Sequence, residues 1–405
     1  MLLPARKAIL PGMLCLALLG LLFYSPNLYR MYRVITLFDE DKIASNFLDM
    51  QSFLNTAEIK ASKEPHRFEV QNKDIPQSFA YRNRRIDTEE FFKENRTTGI
   101  IVVHNGKITA ERYLLGHSRS NPHISWSVAK SVISALFGIA LEEGKINNLD
   151  EQVTNYVPEL KGSGYEGVTI KNTLQMATGV SFDENYEDFF SDINRFGRAI
   201  ALGTSLDEFS GSLSRNKPPG TKLDYVSINT QVLGMVITRA TGLSLTKYTE
   251  EKLWQPLGMG YDAYWITDNQ GMELALGGLN ATLRDYARFG LLYAQGGKWN
   301  GQQIISERWL DESLTPGAPY LMPGRKGTDL ATDFGYGYHW WVPGNADDEF
   351  MARGVYGQFI YIDPDAGVVV AQNSANHLYN EKAQVWDEKH LAFFREIVRS
   401  LTITL

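Results

Sequence analysis

What this chain lacks narrows its chemistry. Its 405 residues contain one cysteine, Cys15, so an intramolecular disulfide or a thiolate metal cluster is excluded. The seven histidines (His66, His104, His117, His123, His339, His377 and His390) are scattered and form no His-Glu-x-x-His pattern. The expectation is therefore no metal. No Gly-x-Ser-x-Gly elbow occurs, which disfavours an α/β-hydrolase. Basic clusters are missing too. With 40 Lys and Arg against 47 Asp and Glu, the net charge is −7, and a nucleic-acid partner, which needs a basic face, is not expected. Repeats and low-complexity linkers are also absent.

The composition, 43% hydrophobic with 21% charged, is that of a globular chain able to bury a large core. One long apolar run stands at the N-terminus. Arg6 and Lys7 precede the uncharged stretch Ala8–Tyr24, which reads as a secretory signal or a slightly short membrane anchor within residues 1–32. The anchor is favoured, because no small-x-small cleavage site follows Tyr24 and no lipobox surrounds Cys15. That places the rest in the cell envelope, outside the cytoplasmic membrane, with membrane contact through this segment. Residues 33–95 are weakly patterned and read as a connecting arm with short helices.

The richest stretch follows Ser125. From Val128 the sequence is apolar on nearly every face, and Gly144 stands where a left-handed residue closes a helix, so a buried helix is predicted from about Ser127 to Glu143. Ser127 and Lys130 fall on one face, within reach of each other. A nucleophile and its base need that spacing. A lysine near pKa ~10.4 cannot accept a proton at neutral pH, but burial in an apolar wall lowers it. Ser-x-x-Lys alone is weak, and it recurs at Ser214-Arg215-Asn216-Lys217 in a polar setting. An internal lysine on an all-apolar helix is the rarer feature, since an unpaired buried ammonium is expensive.

Two strands over Gly99–Tyr113 are predicted to turn at Asn105-Gly106, which accepts positive φ. Two more, Gly357–Asp363 and Val368–Gln372, flank Pro364-Asp365-Ala366-Gly367. Helices are expected at Asn229–Ala240, Leu283–Gln295 and Glu381–Leu401, and a helical, loop-rich insertion at about 147–223. Strands at both chain ends with helices between predict an α+β fold: an antiparallel sheet flanked by helices plus a mostly helical subdomain, the site lying between them. Asp183–Asp192 reads as a solvated acidic loop.

These residues resemble the serine hydrolases of the class C β-lactamase and penicillin-binding-protein superfamily, and within it the 6-aminohexanoate-dimer hydrolase group. Ser127-Val128-Ala129-Lys130 matches the Ser-x-x-Lys motif. Leu149–Val153, Tyr156–Leu160, Val168–Gly179, Pro219–Tyr225, Trp254–Met259 and Gly277–Thr282 match later landmarks. The resemblance covers about Arg96 to Asn373 and implies a β-lactamase/transpeptidase-like domain over 96–405. It implies that Tyr225 relays protons. Ser227 replaces the asparagine of the family's Tyr-x-Asn. Lys-Thr-Gly is absent, and Arg353-Gly354-Val355-Tyr356-Gly357-Gln358 resembles the Gly-x-x-Gly-Gln version. There the backbone N-H groups of Ser127 and Gln358 are expected to form the oxyanion hole, with Ser227, Gly354, Tyr356 and Gly357 touching substrate.

The implied activity is cleavage of an amide or ester in a small molecule or short peptide through an acyl-serine, without a cofactor. A D-alanyl carboxypeptidase or β-lactamase-like enzyme, or an idle membrane-tethered binding protein, are the alternatives. The acidic loop is open to contact with a substrate amine under the same resemblance.

Overall fold

Asn105 and Gly106 take φ of 48° and 77°, the paired positive values of a tight hairpin turn. They join strands Thr97–His104 and Lys107–Tyr113. The computed structural model describes residues 27–324, 334–344 and 348–402. The run Ala8–Tyr24 lies outside them, and among the described residues no helix is long and apolar enough to cross a membrane.

An eight-stranded sheet is built from both chain ends. Its order is Phe334–Tyr336, Trp341–Pro343, Phe350–Gly354, Gln358–Asp363, Val368–Ser374, Thr97–His104, Lys107–Tyr113 and Glu69–Val70. Neighbours are antiparallel except the last pair, which is parallel. The sheet is thus mixed, which corrects the all-antiparallel expectation: the short strand at Glu69 reaches the edge from the chain before the hairpin, so it arrives in the other direction. A second sheet, of four strands, orders Thr56–Ile59, Ala263–Ile266, Leu279–Ala281 and His123–Ile124. Residues read as a connecting arm therefore supply strands to both sheets.

Alternation along Gln358–Asp363 explains the layers. Phe359 and Tyr361 meet Phe394 on the C-terminal helix Ala383–Thr402, at ring-centroid distances of 5.7 and 5.4 Å. Ile360 and Ile362 face the opposite way, toward helix Leu283–Ala294. Gly290 permits that approach, since a Cβ there would lie 2.6 Å from Val369 and 2.8 Å from Ile360. Both faces are covered by helices, as an apolar sheet requires.

Between sheet and insertion runs helix Ala129–Glu142, closed by Gly144 at φ 66°. It is buried along nearly its whole length and packs against helix Ile228–Thr241. The insertion contains helices Val153–Tyr156, Ile170–Leu174, Asp192–Leu202 and Leu206–Gly211. Ser191 caps the third of these by accepting from Asn194 N-H.

Candidate active site

Ser127 sits in a single 3₁₀ turn, Trp126–Val128, that feeds directly into the buried helix. The predicted helix thus begins with a tighter turn, in which positions three apart eclipse. That brings Lys130 Nζ to 2.8 Å from Ser127 Oγ. Trp126, just before the nucleophile, has φ 45°, a left-handed conformation costly for a large side chain. Its indole is held by Phe38 and Phe47, with centroids at 5.7 and 5.4 Å.

Lys130 is 2% exposed. Its amine also donates to the Leu276 carbonyl at 2.7 Å. Burial drives its pKa down from 10.5 to about 7, with the Glu184 carboxylate pulling partly the other way. A large fraction is therefore neutral at physiological pH and able to take a proton from Ser127.

Tyr225 closes the group. Its ring centroid is 5.5 Å from Lys130 Nζ, and it stacks on Trp341 at 5.7 Å and meets Tyr336 edge-on at 6.0 Å. Burial pushes its pKa up, against the lowering effect of a hydrogen bond with Ser127. The group stays a neutral phenol at the nucleophile. The structure brings Ser127, Lys130 and Tyr225 together.

The acidic loop is divided. Asp183, Asn185, Glu187 and Asp188 are exposed, whereas Glu184 turns inward. Ser227 N-H donates to Glu184 Oε2 at 2.9 Å, the Ser227 hydroxyl donates to Oε1, and Tyr186 Oη donates to Oε1 at 2.9 Å. Ser227, expected to touch substrate, is fully buried and anchors this carboxylate instead. The solvated-loop reading holds for the flanking residues and fails for Glu184, because three donors offset its desolvation.

The hairpin after Arg353 also needs correction. Gly354 lies against the nucleophile: a Cβ there would be 2.7 Å from Ser125 O and 3.2 Å from Ser127 N. Tyr356, with φ 65°, stacks on Phe38 at 4.7 Å in the aromatic cluster behind Trp126. Gly357 faces Ser374 and Asn95. Gln358 is buried, its amide donating to Ser374 O at 2.8 Å and its Oε1 accepting from Asn373. None of these three lines the cleft, whereas Arg353, Gly354 and Val355 do. Sequence reasoning passed over Arg353 and Val355, although both flank the glycine it singled out. Arg353 pairs with Asp387 and lies 4.2 Å from the Trp341 ring centroid.

Ser127 opens on two chambers. One, of about 500 Å³, is lined by polar groups, Glu184, Glu187, Tyr225, Arg353, Glu381 and Asp387 among them. The other, of about 300 Å³, is walled mainly by apolar side chains. Among the described residues no group of three or more His, Cys, Asp or Glu is placed to hold a metal.

A buried Ser-x-x-Lys pair, an adjacent tyrosine and a sheet-plus-helical-insert frame define a serine-hydrolase architecture, and the chain belongs to the beta-lactamase family, whose model matches residues 88–391. Within it, the chain is 30% identical over 303 residues to the 6-aminohexanoate-dimer hydrolase of Paenarthrobacter ureafaciens, covering 73% of this chain and 77% of that one. A solved Bacillus anthracis protein, described as a candidate 6-aminohexanoate-dimer hydrolase, superposes with a TM-score of 0.80 at 26% identity, covering 90% and 96% of the two chains. A class C beta-lactamase shares the fold, with a TM-score of 0.57 at 16% identity over 78% and 94%.

Proposed function

We propose that this protein is a serine hydrolase that cleaves an amide or ester bond through an acyl-Ser127 intermediate. The observation that carries the reading is the buried Lys130 amine, depressed to a pKa of about 7 and 2.8 Å from Ser127 Oγ. Ser127 gives its proton to neutral Lys130 as Oγ attacks the carbonyl carbon. The backbone N-H groups of Ser127 and Val355 hold the oxyanion. Val355 takes the role expected of Gln358, because it lines the cleft beside Ser127 and Gln358 does not. The proton on Lys130 then passes through the neutral Tyr225 hydroxyl to the departing alcohol or amine. Water repeats the cycle on the ester and frees the acid.

The polar chamber favours the leaving group. Glu184, Glu187, Glu381 and Asp387 face a single arginine there, so a neutral or cationic amine or alcohol suits it better than an anion. This supports an amidase or esterase over a β-lactamase or carboxypeptidase acting on carboxylate-bearing peptides. The apolar run Ala8–Tyr24 is proposed to tether the enzyme at the cell envelope, which protease accessibility in intact cells tests. Labelling of the purified protein by a serine-directed fluorophosphonate, abolished in Ser127→Ala, tests the catalytic reading. An unlabelled wild type would instead mark a binding protein.

A further inference from the structure

The two chambers at Ser127 differ in chemistry, and that asymmetry specifies a substrate. The smaller one is walled by Phe38 and Leu54 from the N-terminal segment, Phe196 and Ile200 from helix Asp192–Leu202, and Ile266 and Leu274 from the four-stranded sheet and its following loop. Its polar neighbours are few: Ser127, Tyr186, Glu187, Asn194 and Arg198, of which Glu187 is exposed to solvent. Asn194 Nδ2 donates to the carbonyls of Tyr186 and Asp188 at 3.0 and 2.8 Å, and Tyr186 Oη donates to Glu184. Arg198 lies over the Phe189 ring at 3.9 Å. A stable water cluster needs several polar partners for each molecule, and apolar side chains make up most of these walls, so the space suits hydrocarbon.

Resting on the acyl-serine reading above, we propose that the substrate is an amphiphile: a long, unbranched acyl chain joined to a polar alcohol or amine. The chain lies in the apolar chamber and the polar group in the acidic one. At ~30 Å³ per water-sized group, the apolar chamber's 300 Å³ takes roughly ten methylenes. Ser127 Oγ forms the new bond to the acyl carbon as the bond to the leaving oxygen or nitrogen breaks. The leaving group takes the proton from Lys130, and water then releases the long-chain acid and restores the hydroxyl.

Gly197 supplies a plug for testing this. It lines the apolar chamber, and a Cβ added there meets no atom within 4 Å. The rate of Ser127 labelling is measured with methyl- and decyl-fluorophosphonate, in wild type, Gly197→Leu and Gly197→Phe. At about fourfold per buried methylene, with incomplete burial, the decyl probe is expected to label wild type at least ~100-fold faster. Gly197→Phe should bring the decyl-to-methyl ratio close to one, and Gly197→Leu should fall between. Equal rates of Ser127 labelling by both probes in wild type, or a ratio untouched by both plugs, would overturn the amphiphile proposal and leave the nucleophile standing. No labelling by either probe would overturn both.

Discussion

Replacing Lys130 with methionine keeps an unbranched apolar stem and removes the amine. Burial lowers that amine's pKa from 10.5 to about 7, and at about 1.4 kcal/mol per pH unit this is ~5 kcal/mol of disfavoured charge at or below neutral pH. Methionine cannot donate to Leu276 O or meet Ser127 Oγ, and losing both contacts, with a carbonyl left stranded, costs ~2 to 3 kcal/mol. The variant should therefore be more stable than wild type by ~2 kcal/mol at pH 7. Between the folded and unfolded pKa values the unfolded wild-type chain holds more protons, so its stability climbs as pH rises from about 7 toward 10.5. Lys130→Met lacks that slope, and the two stabilities should cross at roughly pH 9. Urea unfolding of both proteins at pH 7, 8 and 9 reads this directly, while fluorophosphonate labelling of Ser127 in the variant should fall ~100-fold or more. Parallel stability curves across that range, or a variant less stable at pH 7, would refute the claim that a strained neutral amine drives the chemistry.

Other consequences follow from the same contacts. The labelling rate of wild type should rise with pH and reach half its plateau near the Lys130 pKa of about 7, and Glu184→Gln should move that midpoint lower, since the carboxylate favours the ammonium. An unchanged midpoint would disconnect Glu184 from the base. Tyr225→Phe should slow ester or amide turnover by ~10² to 10⁴-fold with little effect on the unfolding midpoint, measured by kcat and by urea titration in parallel. Gly354→Ala should cost ~1 to 3 kcal/mol and depress labelling sharply, because its Cβ would crowd Ser125 O at 2.7 Å; a fully active variant would show that the strand does not press on the nucleophile.

How much of this was legible beforehand depended on how local the signal was. The Ser127 helix announced itself because one lysine interrupts an otherwise apolar surface. The hairpin at Asn105-Gly106 and the helix closed by Gly144 (φ 66°) were readable because turn chemistry is set by single residues. Short strands such as Phe334–Tyr336 and Trp341–Pro343 carry too few residues for a period to show, and only pairing with each other, and of the second with Phe350–Gly354, defines them. Near the hairpin after Arg353 the motif was found but its members were misplaced: Tyr356 and Gln358 are drawn to the aromatic cluster and to Ser374, which sequence spacing does not reveal. Glu184 was hidden because its acidic neighbours look alike, and Ser227, which selects it, is distant in sequence.

The family match starts at residue 88, yet Phe38 and Phe47 press on Trp126 and Tyr356 from upstream, and Thr56–Ile59 hydrogen-bonds along Ala263–Ile266. A protein trimmed to its homologous boundary would thus lose the backing of the turn that presents its own nucleophile. For expression or crystallisation, the smallest useful piece is set by those two phenylalanines and not by where the family likeness begins.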